Sequence, residues 1–269
     1  MAKLSAQLAV LELAALLRSG ARARDASKNF RIEALGKFER KQYRYIWDVA
    51  QLSGGQLALA LDRLAEVFEK QQLQLGELRL AFSQPKATAN LILILPPIAM
   101  LASEMMGISS LKVALATTLG SVAIGLGLLL LILARILSLR MLNRARPKEE
   151  DPGGFLDAIV VGLSAGLSAK AATNLARDKH EEHFGESPST EQLQAIQASI
   201  AISEKSGIAL GGILLARADA FRQAMWQRSR NRVSKLSVSL MIPLGTTALP
   251  AFVLLAVVPI GLGMFSGLQ

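Results

Sequence analysis

Two long stretches without a charged side chain limit what this chain can fold into. Residues 113–134 are 22 uncharged residues in succession, and residues 236–265 are 30. An α-helix rises about 1.5 Å per residue, so about 20 apolar residues cross the hydrocarbon core of a bilayer. A third stretch, residues 87–106, holds a single charge, Glu104, near its end. The sequence therefore predicts three transmembrane helices.

The last apolar stretch is long for one membrane span and short for a hairpin of two. Pro243, Pro250 and Pro259 lie within it, and proline is tolerated in a membrane helix where neighbouring helices satisfy the freed backbone groups. A span that is too long is accommodated by tilting or kinking. We therefore favour one kinked or tilted span over residues 236–265, with a hairpin as the alternative.

The basic residues indicate which segments face the cytoplasm. Of the 30 Lys and Arg residues, 14 lie in residues 1–87 and 14 in residues 137–236. Cytoplasmic segments next to membrane spans carry an excess of Lys and Arg, so both segments are predicted to be cytoplasmic, with the N-terminus inside and the C-terminus outside. This topology accounts for much of the formal net charge of +9, and no nucleic-acid partner is predicted.

The chain is predicted to be an all-α membrane protein in four parts. Residues 1–86 and 140–235 are mixed in composition and form cytoplasmic helical bundles, residues 87–139 form two transmembrane helices with a short outer turn, and residues 236–269 form the C-terminal transmembrane helix. At the start of the chain, Glu12 interrupts an apolar stretch in which leucines recur at helical spacing. This pattern favours an amphipathic helix over a signal peptide.

A segment of sixteen residues that begins at Ser53 is similar to a second segment that begins 153 positions later, at Ser206. An earlier match, at an offset of 146 positions, pairs Gly20 with Gly166. Ordered matches of this kind predict an internal duplication. The Ser-Gly pair that opens each segment is predicted to cap the start of a long helix, or to supply a turn free of Cβ strain. The positions that define the repeat are Gly20, Ser53, Gly54, Leu57, Leu61 and Phe68 in the first copy and Gly166, Ser206, Gly207, Leu210, Leu214 and Phe221 in the second.

Few residues of this sequence are suited to catalysis or metal binding. The chain has no cysteine and two histidines, which excludes thiolate sites and leaves few ligands for zinc. His180 and His183 lie in HEEH, which lacks the spacing of HExxH, and the charged, breaker-rich residues 178–190 are predicted to form a solvated loop. Neither a G-x-x-x-x-G-K-[ST] phosphate loop nor a G-x-S-x-G nucleophile motif occurs. We therefore predict a non-enzymatic protein without a catalytic, cofactor or metal site.

The order of a soluble bundle, two spans, a second bundle and one span, with Ser-Gly before each long helix, resembles the type II secretion system F family. The paired motifs are residues 17–20 with 163–166, and residues 53–54 with 206–207. The resemblance implies an inner-membrane platform protein of a type II secretion, type IV pilus or tight-adherence (Flp) pilus machine. Such a protein couples a cytoplasmic hexameric ATPase to the insertion or extraction of pilin or pseudopilin subunits, beside a partner platform protein or further copies of itself. The short bundles favour the tight-adherence branch, with type II secretion beside it.

Three charged residues are candidate partner contacts under this resemblance. Arg22 and Arg24 lie in the first bundle and would face an acidic patch on the ATPase or lipid phosphates, with simple solvation as the alternative. Glu104 lies at the predicted outer interface, where hydration is the simpler interpretation. The resemblance adds a contact between Glu104 and a pilin span.

Two other functions fit three spans and a repeat. A small transporter or channel subunit is one alternative, although transporter repeats normally consist of membrane spans and here most of each repeat is soluble. The second alternative is a membrane scaffold with no role in secretion.

Overall fold

The computed structural model describes most of the chain, and every element in that part is helical. The predicted all-α class is therefore confirmed for these residues. The chain divides into a bundle unit of Met1–Leu75 and Lys148–Gln227, and a membrane unit of Gly76–Pro147 and Arg228–Gln269. The predicted outer turn at residues 107–112 lies partly outside the described residues. Those described are residues 6–28, 30, 32–105, 110–145 and 150–266.

The N-terminal half forms short helices followed by a very long one. Its helices are α1 (Ala6–Arg18), α2 (Ala23–Lys28), α3 (Lys37–Ser53) and α4 (Leu57–Met105), with a 3-10 turn at Ile32–Ala34. The 49 residues of α4 continue as one helix through Pro96 and Pro97. Its first part belongs to the bundle unit and its apolar part to the membrane unit.

The next two helices differ from the predicted span over residues 113–134. The chain forms α5 (Ser110–Ala116) and then α6 (Thr118–Ala145), so the span is wrong in its bounds. Glycine at position 120 permits this arrangement, because a Cβ there would lie 2.3 Å from the Ala114 carbonyl oxygen. Thr117 supports the start of α6, since its Oγ1 accepts a hydrogen bond of 3.3 Å from the Gly120 N–H.

The C-terminal half ends in one continuous helical run. Its helices are α7 (Gly154–Ser164), α8 (Ala169–Phe184), α9 (Thr190–Ser206), α10 (Leu210–Pro243), α11 (Leu249–Phe252) and α12 (Val258–Ser266). From α10 to α12 the chain stays helical through π-helical turns at Leu244–Ala248 and Val253–Val257. Each π turn is centred four positions before a proline, Pro250 or Pro259, whose missing N–H leaves a carbonyl without its helical partner.

Three helices of the described chain are long and apolar enough to cross a membrane, as predicted. They are Leu57–Met105, Thr118–Arg144 and Leu210–Met264. The third contains nearly all of the apolar stretch 236–265 in a single helical run, without the reversal that a hairpin requires.

A hydrophobic core shared by both halves of the sequence holds the bundle unit together. Phe155, Leu156 and Ile159 of α7 are at most 1% exposed, and α7 packs against α3 and α8. Val10 of α1 and Leu214 of α10 belong to the same core. The segments predicted as two cytoplasmic bundles therefore fold around common apolar contacts.

Small and aliphatic side chains pack the membrane unit. Ala89 of α4, Ala134 of α6 and Leu240 of α10 form part of one buried cluster. Gly127 lets α6 approach the C-terminal helix closely, because a Cβ there would lie 2.6 Å from the Leu255 Cγ. Close approach through small residues is the usual way in which membrane helices associate.

Candidate functional site

A carboxylate lies inside the apolar helix α7 of the bundle unit. Asp157 is 7% exposed and stands between Leu156 and Ala158, which are fully buried. Moving an ionised carboxylate out of water costs several kcal/mol unless a charged partner compensates it. The fold must therefore supply a cation at this position.

Arg222 of α10 supplies that cation and binds a second acid. Its Nε donates to Asp151 Oδ1 at 2.7 Å, its Nη2 donates to Asp151 Oδ2 at 2.9 Å, and Nη2 also donates to Asp157. Two parallel bonds between one guanidinium and one carboxylate are strong and directional. Gln42 of α3 donates from Nε2 to Asp151 Oδ2 at 2.7 Å, so Asp151 is held from both α3 and α10.

Arg63 of α4 extends these contacts to the other long helix. Its Nη2 donates to Asp219 Oδ1 of α10 at 2.5 Å, and its Nε lies 3.5 Å from Asp157 Oδ1. We call Arg63, Asp151, Asp157, Asp219 and Arg222 the ion network. It joins α4, α7 and α10, and both α4 and α10 continue into candidate membrane spans.

Within the ion network, burial and ion pairing shift the pKa of each group in opposite directions. Burial raises the pKa of Asp157 above its ordinary value, and Arg222 offsets only part of this effect. Burial works to lower the pKa of Arg222, but Asp151 and Asp157 outweigh it and the net shift is upward. Burial also acts to raise the pKa of Asp219, but the hydrogen bond from Arg63 leads to a net decrease. The charge state of each group therefore depends on the others. Removing one charge leaves the opposite charge of its partner without full compensation.

The glycines of the predicted repeat occupy matching turns. Gly20 and Gly166 have φ of 91° and 89°, and Gly54 and Gly207 have φ of 74° and 70°. A left-handed conformation of this kind favours glycine because it lacks a Cβ. The strain-free turn expected at each Ser-Gly pair is thus present at Gly54 and Gly207, and Gly20 and Gly166 adopt the same conformation.

The Ser-Gly pairs cap a different helix from the one predicted. Gly54 ends α3 and Gly207 ends α9, so the pair terminates the preceding helix rather than starting the long one. The two serines make equivalent hydrogen bonds. The N–H of Gly55 donates to Ser53 Oγ at 3.2 Å, and the N–H of Ile208 donates to Ser206 Oγ at 3.4 Å. The left-handed glycine satisfies the last carbonyls of a helix, which explains this placement.

The apolar repeat positions face the bundle core. Leu61 and Leu214 are fully buried and Phe68 is 1% exposed. Leu57, Leu210 and Phe221 are partly buried and pack against the same core. These side chains hold α4 and α10 in the bundle unit.

None of the three candidate contact residues belongs to the ion network. Arg22, just before α2, and Arg24, within it, are exposed on the bundle unit. Glu104 is half-buried near the end of α4, in the membrane unit. The described fold thus leaves the two arginines accessible to a partner.

The solvated loop predicted for residues 178–190 is wrong in its first half. Residues 178–184 form the end of α8, which Ser168 caps at its start and Gly185 at its end. His180 packs edge-on against Tyr45, with ring centroids 5.7 Å apart. The aromatic contacts bury one side of a stretch whose composition alone indicates a loop.

The sequence patterns contain one signal for the ion network. Asp157 is an acid within the apolar helix Gly154–Ser164, where a buried charge requires a partner. Its partner Arg222 is 65 positions away in the sequence. Local spacing therefore marks the acid but cannot identify the arginine.

Comparison with known proteins identifies the N-terminal part of the chain. A family model described as Type II secretion system (T2SS), protein F, matches residues 6–103, which comprise α1 to α3 and nearly all of α4. The comparisons with curated proteins and with solved structures gave no match. Residues 6–103 are therefore similar to the type II secretion system F family, and they account for less than half of the 269 residues of the chain.

Proposed function

We propose that this protein is a non-enzymatic inner-membrane platform protein that couples a cytoplasmic hexameric ATPase to the assembly of pilin or pseudopilin subunits. The family is associated with secretion and pilus machinery, and three apolar helices support a multi-pass inner-membrane protein. The ion network supports the proposed coupling, because it joins α4 and α10, which both continue into candidate membrane spans. A partner that displaces one of these helices within the bundle unit would thereby act on the other.

The proposal includes an internal duplication. α3 (Lys37–Ser53) and α9 (Thr190–Ser206) have the same length and are related by the 153-position offset of the repeat. The starts of α4 at Leu57 and α10 at Leu210 have the same offset. These agreements, with the matching glycine turns, support equivalent roles for the two long helices.

The proposed assembly places the bundle unit in the cytoplasm and the C-terminus outside. The ATPase binds the bundle unit, with Arg22 and Arg24 facing an acidic surface. A partner platform protein or a second copy completes the platform, and Glu104 meets the pilin span. The short bundle favours a tight-adherence (Flp) machine, with type II secretion as the other candidate.

Deletion of the gene and recovery of the ATPase together test this proposal. Loss of the protein should abolish pilus assembly or secretion, and the full chain purified in detergent should retain the ATPase. Intact assembly and secretion in the deletion strain would overturn the proposal.

Paired charge reversals test the proposed contact residues. Arg22→Glu combined with Arg24→Glu should reduce the ATPase recovered with the full chain, because attraction between the two surfaces becomes repulsion. Lys170→Glu is the matched control, since Lys170 is exposed near the start of α8 and is the repeat counterpart of Arg24. Equal recovery with the double variant and the control would reject Arg22 and Arg24 as the contact.

A further inference from the structure

Three side chains of types that bind metal ions converge between α3 and α8. The ligand atoms of Asp48, Glu182 and His183 all lie within 4.8 Å of one another. Asp48 comes from α3, and the other two occupy consecutive positions in α8. His183 Nε2 lies 2.8 Å from Asp48 Oδ2, so the imidazole and the carboxylate already face each other.

We propose that Asp48, Glu182 and His183 bind a divalent transition-metal ion, for which Zn²⁺ is the probe. An imidazole nitrogen with carboxylate oxygens suits zinc and its first-row neighbours, whereas Ca²⁺ and Mg²⁺ favour sites made of oxygen alone. Three protein ligands leave a fourth tetrahedral position for water or for a group from a partner. Two of these ligands, Glu182 and His183, lie in the HEEH stretch, and the third comes from α3.

The three ligand atoms must adjust their separations before they can bind one ion. Two atoms that are each about 2.1 Å from one ion lie about 3.4 Å apart in a tetrahedral site. The His183 and Asp48 atoms, now 2.8 Å apart, must therefore open slightly, and any pair near 4.8 Å must close. The side chain of Glu182 is 59% exposed, compared with 35% for Asp48 and 14% for His183. Glu182 therefore has room to change rotamer, while the less exposed His183 and Asp48 need only a small shift.

Lys179 places a competing cation beside the cluster. Its Nζ donates to Glu182 Oε2 at 2.6 Å, and this hydrogen bond raises the pKa of Lys179. A metal ion must displace this ammonium group from Glu182. Lys179→Met removes the positive charge but keeps an unbranched side chain, so the variant should bind the metal more tightly.

The bound ion would link the two halves of the sequence within the bundle unit. α3 precedes the first candidate membrane span, and α8 follows the second. These helices already pack together, so the ion would strengthen an existing contact. The site is independent of the proposed ATPase contact.

The test is titration of Zn²⁺ into the full chain, purified in detergent without a polyhistidine tag. Calorimetry should give one ion per chain, and the melting temperature should rise with Zn²⁺ because the ion binds the folded state. Asp48→Asn and His183→Gln should each weaken binding at least about tenfold. Glu181→Gln removes an exposed acid next to the cluster and should leave the affinity unchanged. Ca²⁺ and Mg²⁺ should bind far more weakly than Zn²⁺.

Two results would overturn the site. Equal Zn²⁺ affinity in the wild type, Asp48→Asn and His183→Gln would show an adventitious ion only. An affinity that does not increase in Lys179→Met would place the ion away from Glu182 and reject the three-residue site. If one ligand variant fails to fold, the other provides the same comparison.

Discussion

At the scale of single residues, Arg222 is the centre of the ion network. Its guanidinium group contacts Asp151 and Asp157 and lies 3.5 Å from Asp219. The backbone is shaped around it, because a Cβ at Gly153 would lie 2.6 Å from the Arg222 Cζ. The position is therefore specific for a planar cation held from several sides.

Replacing Arg222 by methionine should strongly destabilise the bundle unit. The change leaves Asp151 without its buried counter-charge and Asp157 with Arg63 alone, at 3.5 Å. Breaking a buried ion pair from one side costs about 3–5 kcal/mol. Thermal unfolding of the full chain in detergent measures the effect. Arg228→Met, at an exposed position of the same helix, should change stability by less than about 0.5 kcal/mol. Equal melting temperatures for the two variants would contradict this role of Arg222.

Asp219 should make stability depend on pH in the acid range. Its pKa is lowered from 3.8 in the folded state, so its contribution is present above that ordinary value and is lost as the pH falls through the lowered one. Asp219→Asn should melt below the wild type at pH 7, and the difference should shrink below about pH 4. A difference that stays constant down to low pH would contradict the prediction.

At the scale of helices, α4 and α10 each follow a helix that ends at a left-handed glycine. The N–H of Gly54 bonds to the Ala50 carbonyl and that of Gly207 to the Ser203 carbonyl. Both glycines are left-handed, which lets the chain leave α3 and α9 in the same way. The long helices therefore start at equivalent distances from equivalent turns.

Alanine at either turn should destabilise the protein. A left-handed conformation costs a residue with a Cβ roughly 1–2 kcal/mol, so Gly54→Ala and Gly207→Ala should both lower the melting temperature. Gly212 lies within α10, where an added Cβ would meet nothing within 4 Å. Gly212→Ala should raise stability by roughly 0.5–1 kcal/mol, since alanine favours a helix over glycine. A shift of the same sign in all three variants would refute the capping role.

At the scale of the whole molecule, the features that the sequence predicts are those that depend on the composition of a single segment. The count of membrane helices follows from uncharged stretches, because hydropathy is a property of each segment by itself. The break at Thr117 brings Gly120 close to Ala114, and His180 packs in α8 against Tyr45. The hydropathy of a segment reports neither contact. The ion network lies furthest from local prediction, since Arg63 and Asp219 are separated by 156 positions.

The orientation of the molecule in the membrane can be tested because the sequence has no cysteine. A single introduced cysteine then reports on its own side of the bilayer. We expect Ser187→Cys, between α8 and α9, to be cytoplasmic and Ser266→Cys, at the end of α12, to be outside, because basic segments stay on the cytoplasmic side. A membrane-impermeant maleimide added to intact spheroplasts should label Ser266→Cys alone, and it should label Ser187→Cys only after permeabilisation. The reverse pattern would invert the topology. Protection of both in intact spheroplasts would require two crossings after residue 187, where the structure has one apolar helical run.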